Sequence, residues 1–200
     1  MDDLILELKR KRVLESGSLE TTLRRVDRAD FVLSEDRDRA YEDIALPTLA
    51  GQTISQPYTV VFMLEKLAVE SGQTVLDIGA GSGWQTAILA ALVGESGRVH
   101  AYEVVPTLYE FGRENLAKYP DLLGRVEWHL ASGRSRLGKK FDRLIVAAAL
   151  ATAPPPWWRG DLRDRGRLVY PRGYSIMVEE KSSGQFHTAE FPGFVFVPFV

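Results

Sequence analysis

The rhythm of apolar and polar positions changes twice along this chain, and each change marks a boundary. From Met1 to about Tyr41 apolar residues recur at helical spacing among many charges: Leu4, Ile5 and Leu8 on one face, then Leu19, Leu23 and Val26 after Ser18, a candidate cap. Two amphipathic helices packing as a cap on the following region are expected. Pro57 suits a first helical position, and Val60, Val61, Leu64, Leu67 and Ala68 make an apolar stripe that stops at Ser71-Gly72. Beyond it, short apolar runs alternate with helical stretches. Strands are expected at 74–78, 98–103, 125–130 and 142–148, and helices at 84–93 and 106–118. Such alternation predicts an α/β fold, a doubly wound, Rossmann-like and mostly parallel sheet. After Gly166 the runs 167–170, 174–180 and 185–191 are separated by Pro-Arg-Gly and Ser-Ser-Gly breaks, and predict antiparallel C-terminal strands at the sheet edge.

The pattern describes one domain over residues 1–200, with 1–56 as helical cap and active-site loop and 57–200 as ligand-binding core and C-terminal strands. Composition agrees, since 200 residues with 45% hydrophobic and 26% charged suffice for one filled core. A net charge of −2 gives no electrostatic reason for a nucleic-acid partner. The basic run Lys9–Arg12, flanked by Glu7 and Glu15, reads as a solvated helix face. The N-terminal stretch opens with acids and has no long apolar run, so neither a secretory signal nor a membrane anchor is expected. The absence of cysteine excludes disulfides, thiolate metal sites and thiol catalysis, and agrees with a cytoplasmic protein. A monomer is expected. His100, His129 and His187 are scattered without metal-ligand spacing, so no metal is expected and structural or surface roles are assigned to them.

Chemistry concentrates at two segments. The first is Gly79, Gly81 and Gly83, directly after a strand that carries Asp77 and directly before a helix. Glycine is needed there where backbone takes unusual dihedrals and must touch a ligand. Glu103, about 20 residues beyond Gly83 at the end of the next strand, suits acceptance of ribose hydroxyls, each charge-assisted bond contributing roughly 1.5–3 kcal/mol. A dinucleotide site wants a small residue at position 84, and Trp84 is too large. S-adenosylmethionine has no pyrophosphate to cradle, so methyl transfer is the better reading. The second segment, Gly51–Pro57, places the Ser55 hydroxyl ahead of a proline-started helix, as an active-site group, a helix cap or both.

Together these segments resemble the protein-L-isoaspartate O-methyltransferases. The similarity covers most of the chain: Arg25–Val32, Ala40–Asp43 with Leu46-Pro47, Gly51–Pro57, Val75–Gly83, Phe141–Val146, Gly166–Val169 and Phe194–Pro198. Gly51–Pro57 is the specific part. The resemblance implies that Gln52, Thr53, Ile54 and Ser55 line the pocket. It also implies that Gly79 and Gly81, with Asp77 and Gly83 beside them, hold the methionine end of S-adenosyl-L-methionine, and that Glu103 holds the ribose. Ser55 matches the residue assigned to the active site. The implied acceptor is the carboxylate of an L-isoaspartyl residue in a damaged protein or peptide, whose ester collapses to a succinimide as repair begins; S-adenosyl-L-homocysteine is the other product. A carboxylate with a pKa near 4 is already ionised, so alignment rather than a general base is required.

Two positions depart from the family pattern. Tyr58 stands where histidine is common, and Ala131-Ser132-Gly133 replaces Gly-Asp-Gly at the adenine edge. Ser132 and Gly133 are still assigned to the cofactor, at a cost of about 1–2 kcal/mol, or roughly tenfold in affinity. The alternatives are a divergent methyltransferase acting on another carboxylate or a small molecule, and a non-catalytic binding module. Trp157 and Trp158 read as packing on a neighbouring loop, or else as an aromatic wall for the acceptor. Asp142 reads as a strand-entry residue fixed by local hydrogen bonds.

Overall fold

A computed structural model describes residues 1–136 and 138–199. Helices α1 (Asp2–Arg10) and α2 (Gly17–Arg25) bury the predicted stripes through Leu4, Ile5, Leu8, Leu19 and Leu23. The N-cap of α2 is Ser16 rather than Ser18, and its side chain caps nothing. Its hydroxyl and the N–H groups of Glu15 and Ser16 all donate to Glu65 Oε1 at 2.9 Å, so the carboxylate of a later helix fixes this corner. The Lys9–Arg12 run is solvated as expected, with Lys9 paired to Glu20 and Lys11 to Glu7 and Asp43.

Two short 3-10 turns lead to a small hairpin of β1 (Leu46–Pro47) and β2 (Thr53–Ile54). Helix α3 (Pro57–Leu67) follows, ending where Ala68 turns left-handed. Strand β3 (Thr74–Ile78), helix α4 (Trp84–Leu92), strand β4 (Arg98–Glu103) and helix α5 (Pro106–Leu116) then alternate as the pattern predicts. A four-residue helix α6 (Pro120–Leu123) precedes β5 (Val126–Leu130) and β6 (Phe141–Val146). Helix α7 (Pro156–Asp161) comes from the proline-tryptophan stretch, and β7 (Leu162–Arg172), β8 (Ser175–Ser182) and β9 (Gln185–Pro192) complete the chain's elements. Neither α6 nor α7 is long enough for periodicity to reveal it.

The large sheet has the order β5-β4-β3-β6-β7-β8-β9. The C-terminal strands pair antiparallel as expected, β7 with β8 and β8 with β9, while β7 also pairs parallel with β6, so β8 alone runs against the rest of the sheet. The α7 crossover returns the chain to the starting edge, which sets β7 parallel, while the tight turn at Gly173 permits only a hairpin. Apolar residues of the central strands divide between the two faces. Val75, Val99, Ile145 and Val169 join α1–α4 in one buried cluster, and Leu76, Ile78, Leu144 and Leu168 join Trp158 in the other. Each such side chain, fully buried, contributes roughly 1.5–3 kcal/mol. Asp142 Oδ2 accepts the Thr74 N–H and an Arg163 guanidinium N–H, both at 2.8 Å, which pins the entry to β3 and β6 as expected. Among the described residues no helix is long and apolar enough to cross a membrane.

The chain builds outward from β3 to β4 and β5 and then returns to the other side of β3 with β6, so the strand order reverses beside β3. The crevice at the carboxyl ends of these strands is where an open α/β sheet binds ligands.

Candidate active site

That crevice opens into a cavity of about 650 Å³, within the range of small-molecule sites. One wall is built locally. Gly79, Gly81 and Gly83 have φ of +83°, +55° and +87°, values that side chains with a Cβ rarely adopt. A Cβ on Gly83 would lie 2.8 Å from the Gly112 carbonyl oxygen, so glycine also lets α4 and α5 meet. The Gly79 and Ala80 N–H groups donate to the Tyr102 carbonyl at 2.9 and 3.0 Å. Glu103, 6% exposed, accepts the Gly81 N–H on Oε2 at 2.8 Å and the Val104 and Val105 N–H groups on Oε1 at 2.9 Å. Three of about four acceptor positions on the carboxylate are thus used, and Oε2 keeps one.

Asp77 is placed differently from Glu103. It is fully buried, lies behind the wall, and accepts from Thr86 Oγ1 at 2.6 Å and Gln85 Nε2 at 2.7 Å, clamping β3 to α4. Burial pushes its carboxyl up to about 6, against the opposing pull of those two hydrogen bonds.

The facing wall is assembled from distant segments. Gln52, Thr53, Ile54 and Ser55 line it, as do Tyr58 and residues 191–199. What holds this loop is Arg28, a fully buried side chain in the short turn that follows Asp27. Its guanidinium donates to the carbonyls of Ala40 (2.8 Å), Glu42 (3.3 Å), Ile44 (2.9 Å) and Ser55 (3.1 Å), and lies 5.4 Å from the centre of the Trp84 ring. Burial lowers its pKa to about 10, partly opposed by nearby Asp43, so it stays charged at neutral pH. The first turn of α3 is capped from outside: Asp43 Oδ1 accepts the Tyr58 N–H at 2.7 Å, and Gln56 at the N-cap makes no side-chain cap bond. The helix-cap reading of Ser55 is therefore replaced by capping from Asp43.

Beyond β9 the chain returns across the strand ends. The Ala149 N–H donates to the Val197 carbonyl at 2.8 Å, and the Phe199 N–H donates to the Ala149 carbonyl at 2.9 Å. This brings Phe194, Phe196 and Phe199 to the cavity, where the Tyr58 ring stacks 6.4 Å from Phe194 and 6.5 Å from Phe62. The aromatic side chain at position 58 completes a wall that the C-terminal segment starts.

Among the residues assigned to the cofactor or to catalysis, Gln52, Thr53, Ile54, Ser55, Gly79, Gly81, Glu103 and Gly133 line this one cavity. Asp77, Gly83 and Ser132 are not among its lining residues. Ser132 Oγ instead accepts the Arg134 N–H at 3.3 Å within its own loop. A Cβ on Gly133 would come within 2.4 Å of Ile78 Cγ2, so the loop reaches the cavity floor only with glycine there. Trp157 and Trp158 support that loop from behind, their Nε1–H groups donating to the Arg134 and Gly133 carbonyls at 3.1 and 3.0 Å; neither lines the cavity, so packing rather than an acceptor wall is what they provide. Arg28 and the C-terminal aromatics were not assigned from the pattern. The available signals were the place of Arg28 within the segment Arg25–Val32 and the phenylalanine-rich tail.

Among the described lining residues Glu103 is the one charged side chain. The cavity therefore offers one carboxylate, polar backbone and aromatic walls, a combination that suits a cationic ligand and does not trap an anion.

A sequence model described as protein-L-isoaspartate(D-aspartate) O-methyltransferase matches residues 1–200. The chain is 38% identical to the protein-L-isoaspartate O-methyltransferase of Aeropyrum pernix, over 98% of this chain and 78% of that relative. It is 45% identical to that of Anaeromyxobacter dehalogenans strain 2CP-1, over 74% of this chain and 69% of the relative. Among solved structures, a Plasmodium falciparum protein described as a protein-L-isoaspartate O-methyltransferase, in complex with S-adenosyl-L-homocysteine, has a TM-score of 0.90 at 22% identity, over 99% of this chain and 97% of its own. That likeness establishes the fold, and the full-length sequence match establishes descent: this chain belongs to the protein-L-isoaspartate(D-aspartate) O-methyltransferase family.

Proposed function

We propose that this chain transfers a methyl group from S-adenosyl-L-methionine to the free carboxylate of L-isoaspartyl residues in damaged proteins or peptides, beginning their repair. The observation that carries this reading is the meeting of the Gly51–Pro57 segment and the Gly79–Gly83 loop at opposite walls of one cavity. The names of the aligned relatives supply the reaction class.

The donor's fit can be judged from the residues. The backbone of Gly79 and Gly81 is open toward the cavity, Glu103 Oε2 has acceptor capacity left for a ribose hydroxyl, and Gly133 leaves a flat edge for a base. A sulfonium centre is a cation, and no lysine or arginine stands among the described lining residues to repel it. When bound, S-adenosyl-L-methionine supplies an electrophilic methyl group.

The chain's own residues then have three tasks. Glu103 and the glycine loop hold the donor in one orientation. Ser55, whose carbonyl is fixed by Arg28, offers a neutral hydroxyl that orients the acceptor oxygen without an ion pair to compete with its attack. Phe194, Phe196 and Tyr58 exclude water from that oxygen, which raises its reactivity. The acceptor is ionised at neutral pH, which removes the need for a base, and no histidine or lysine stands among the described lining residues. Asp77 and Gly83 shape the donor site from behind, and Ser132 shapes the loop that carries Gly133. The proposal extends to a monomeric methyltransferase unit working in the cytoplasm, supported by a cysteine-free sequence of near-neutral charge.

The aromatic wall at Tyr58 favours a second reading, in which the same chemistry serves another carboxylate. One assay separates the two. With methyl-labelled S-adenosylmethionine and matched peptides, base-labile label is expected on the isoaspartyl peptide and not on its aspartyl counterpart. Donor binding with no label on either peptide would overturn the isoaspartyl assignment.

A further inference from the structure

The pairing of β4 with β5 brings together three side chains that lie far apart in sequence. His100 and Glu127 are register partners, and His129 is the partner of Tyr102, two residues along on the same face. His100 Nδ1 lies 2.7 Å from Glu127 Oε2 and 3.2 Å from His129 Nε2, and the remaining side, from His129 Nε2 to Glu127 Oε2, is 4.0 Å. A triangle with these sides is acute, and its centre is about 2.0 Å from all three atoms, the length of a zinc–nitrogen or zinc–carboxylate bond. Tetrahedral bonds of that length need donor separations of about 3.3 Å, so the 2.7 and 4.0 Å sides each adjust by less than about 1 Å when an ion is bound.

We propose that His100 Nδ1, Glu127 Oε2 and His129 Nε2 form a binding site for zinc, with the fourth position left to water.

The surroundings favour this use. Phe141 meets the His100 ring edge-on at 5.8 Å and Tyr102 stacks on the His129 ring at 4.9 Å, so both imidazoles are held in orientation by packing. The Glu127 side chain is 53% exposed and gives an ion a path from solvent. The positive groups that face the cluster are Lys139, whose Nζ lies 3.0 Å from the same Oε2, and Arg98 on β4. Lys139 is the competing cation, and it moves aside when zinc is bound. The ion then cross-links β5, the edge strand, to β4.

The test uses the full chain, stripped of metal by chelator and dialysis. Zinc chloride titrated against a chromophoric chelator is expected to show one ion per chain, with a rise in Tm on loading. Cobalt is expected to give the visible absorption of a four-coordinate N,O site. Glu127→Gln and His129→Gln should each weaken binding at least about tenfold and abolish the Tm rise. Lys139→Ala should tighten binding several-fold, and His187→Gln, which alters the remaining histidine, should change nothing. Circular dichroism confirms that each variant is folded. Absence of stoichiometric binding by the parent chain would overturn the proposal, and so would equal affinity in Glu127→Gln and His129→Gln.

Discussion

The two walls of the cavity are built in opposite ways. The glycine wall is largely local: residues 74–105 form one strand-turn-helix-strand stretch, and most of the hydrogen bonds that shape it close within that stretch. The Ser55 wall is collective, since Arg28, Asp43, Tyr58 and residues 191–199 come from separate parts of the chain and meet only in the folded state. A local wall survives changes elsewhere in the chain, whereas a collective wall fails when one distant support is removed.

The largest expected effect follows from removing such a support. Arg28→Ala leaves buried carbonyls without donors and should cost about 4 kcal/mol of stability, measured by denaturant titration. Arg28→Lys keeps the charge but lacks the planar fork, and should recover only part of the loss. If Arg28→Ala were as stable and active as the parent, the collective wall would not depend on it.

The next effect tests the local wall from behind. Burial raises the folded-state pKa of Asp77 to about 6 from an ordinary value of 3.8, so its contribution to stability is complete below pH 3.8 and is lost as pH rises through 6. Above pH 6 the buried charge costs up to about 3 kcal/mol. Asp77→Asn keeps hydrogen-bonding groups for Gln85 and Thr86 without the charge. Its stability should change less than the parent's between pH 4 and 7, and at pH 8 it should be at least as stable. A variant clearly less stable than the parent at pH 8 would show that the carboxylate charge itself is needed.

Two further substitutions divide the walls by function. Glu103→Gln should weaken S-adenosylhomocysteine binding by roughly 10–100-fold, as expected from about 1.5–3 kcal/mol, while peptide KM changes little. Ser55→Ala should do the reverse, leaving ligand affinity near that of the parent and lowering turnover by roughly tenfold. Calorimetry and steady-state kinetics on the same preparations read both. If both variants lost ligand affinity equally, the division between walls would be mistaken.

The same contrast explains what was legible in the sequence. Strands β3 and β4 were readable to the residue because they are short apolar runs bounded by glycine or charge, and the glycine loop followed from its position between strand and helix. Glu103 was readable because its spacing is local. Arg28 was not, since nothing in its neighbours says that four carbonyls from residues 40–55 will converge on it. The C-terminal aromatics escaped for a similar reason: their place depends on a crossing back to Ala149, which has no local signature. Asp77, expected at the cofactor from its place in β3, has its side chain turned by strand alternation toward α4, where it bonds Gln85 and Thr86. His100 and His129 looked unrelated because their contact is made by strand pairing rather than by spacing.

The account's central claim is that the donor is held by the glycine wall with its reactive end toward Ser55. A crystal structure of the chain with S-adenosyl-L-homocysteine tests it most directly. The prediction is a ribose hydroxyl within hydrogen-bond distance of Glu103 Oε2, the base beside Gly133 and the sulfur facing the Ser55 hydroxyl. Adenosine bound outside this cavity, or the sulfur turned away from residues 52–55, would contradict it.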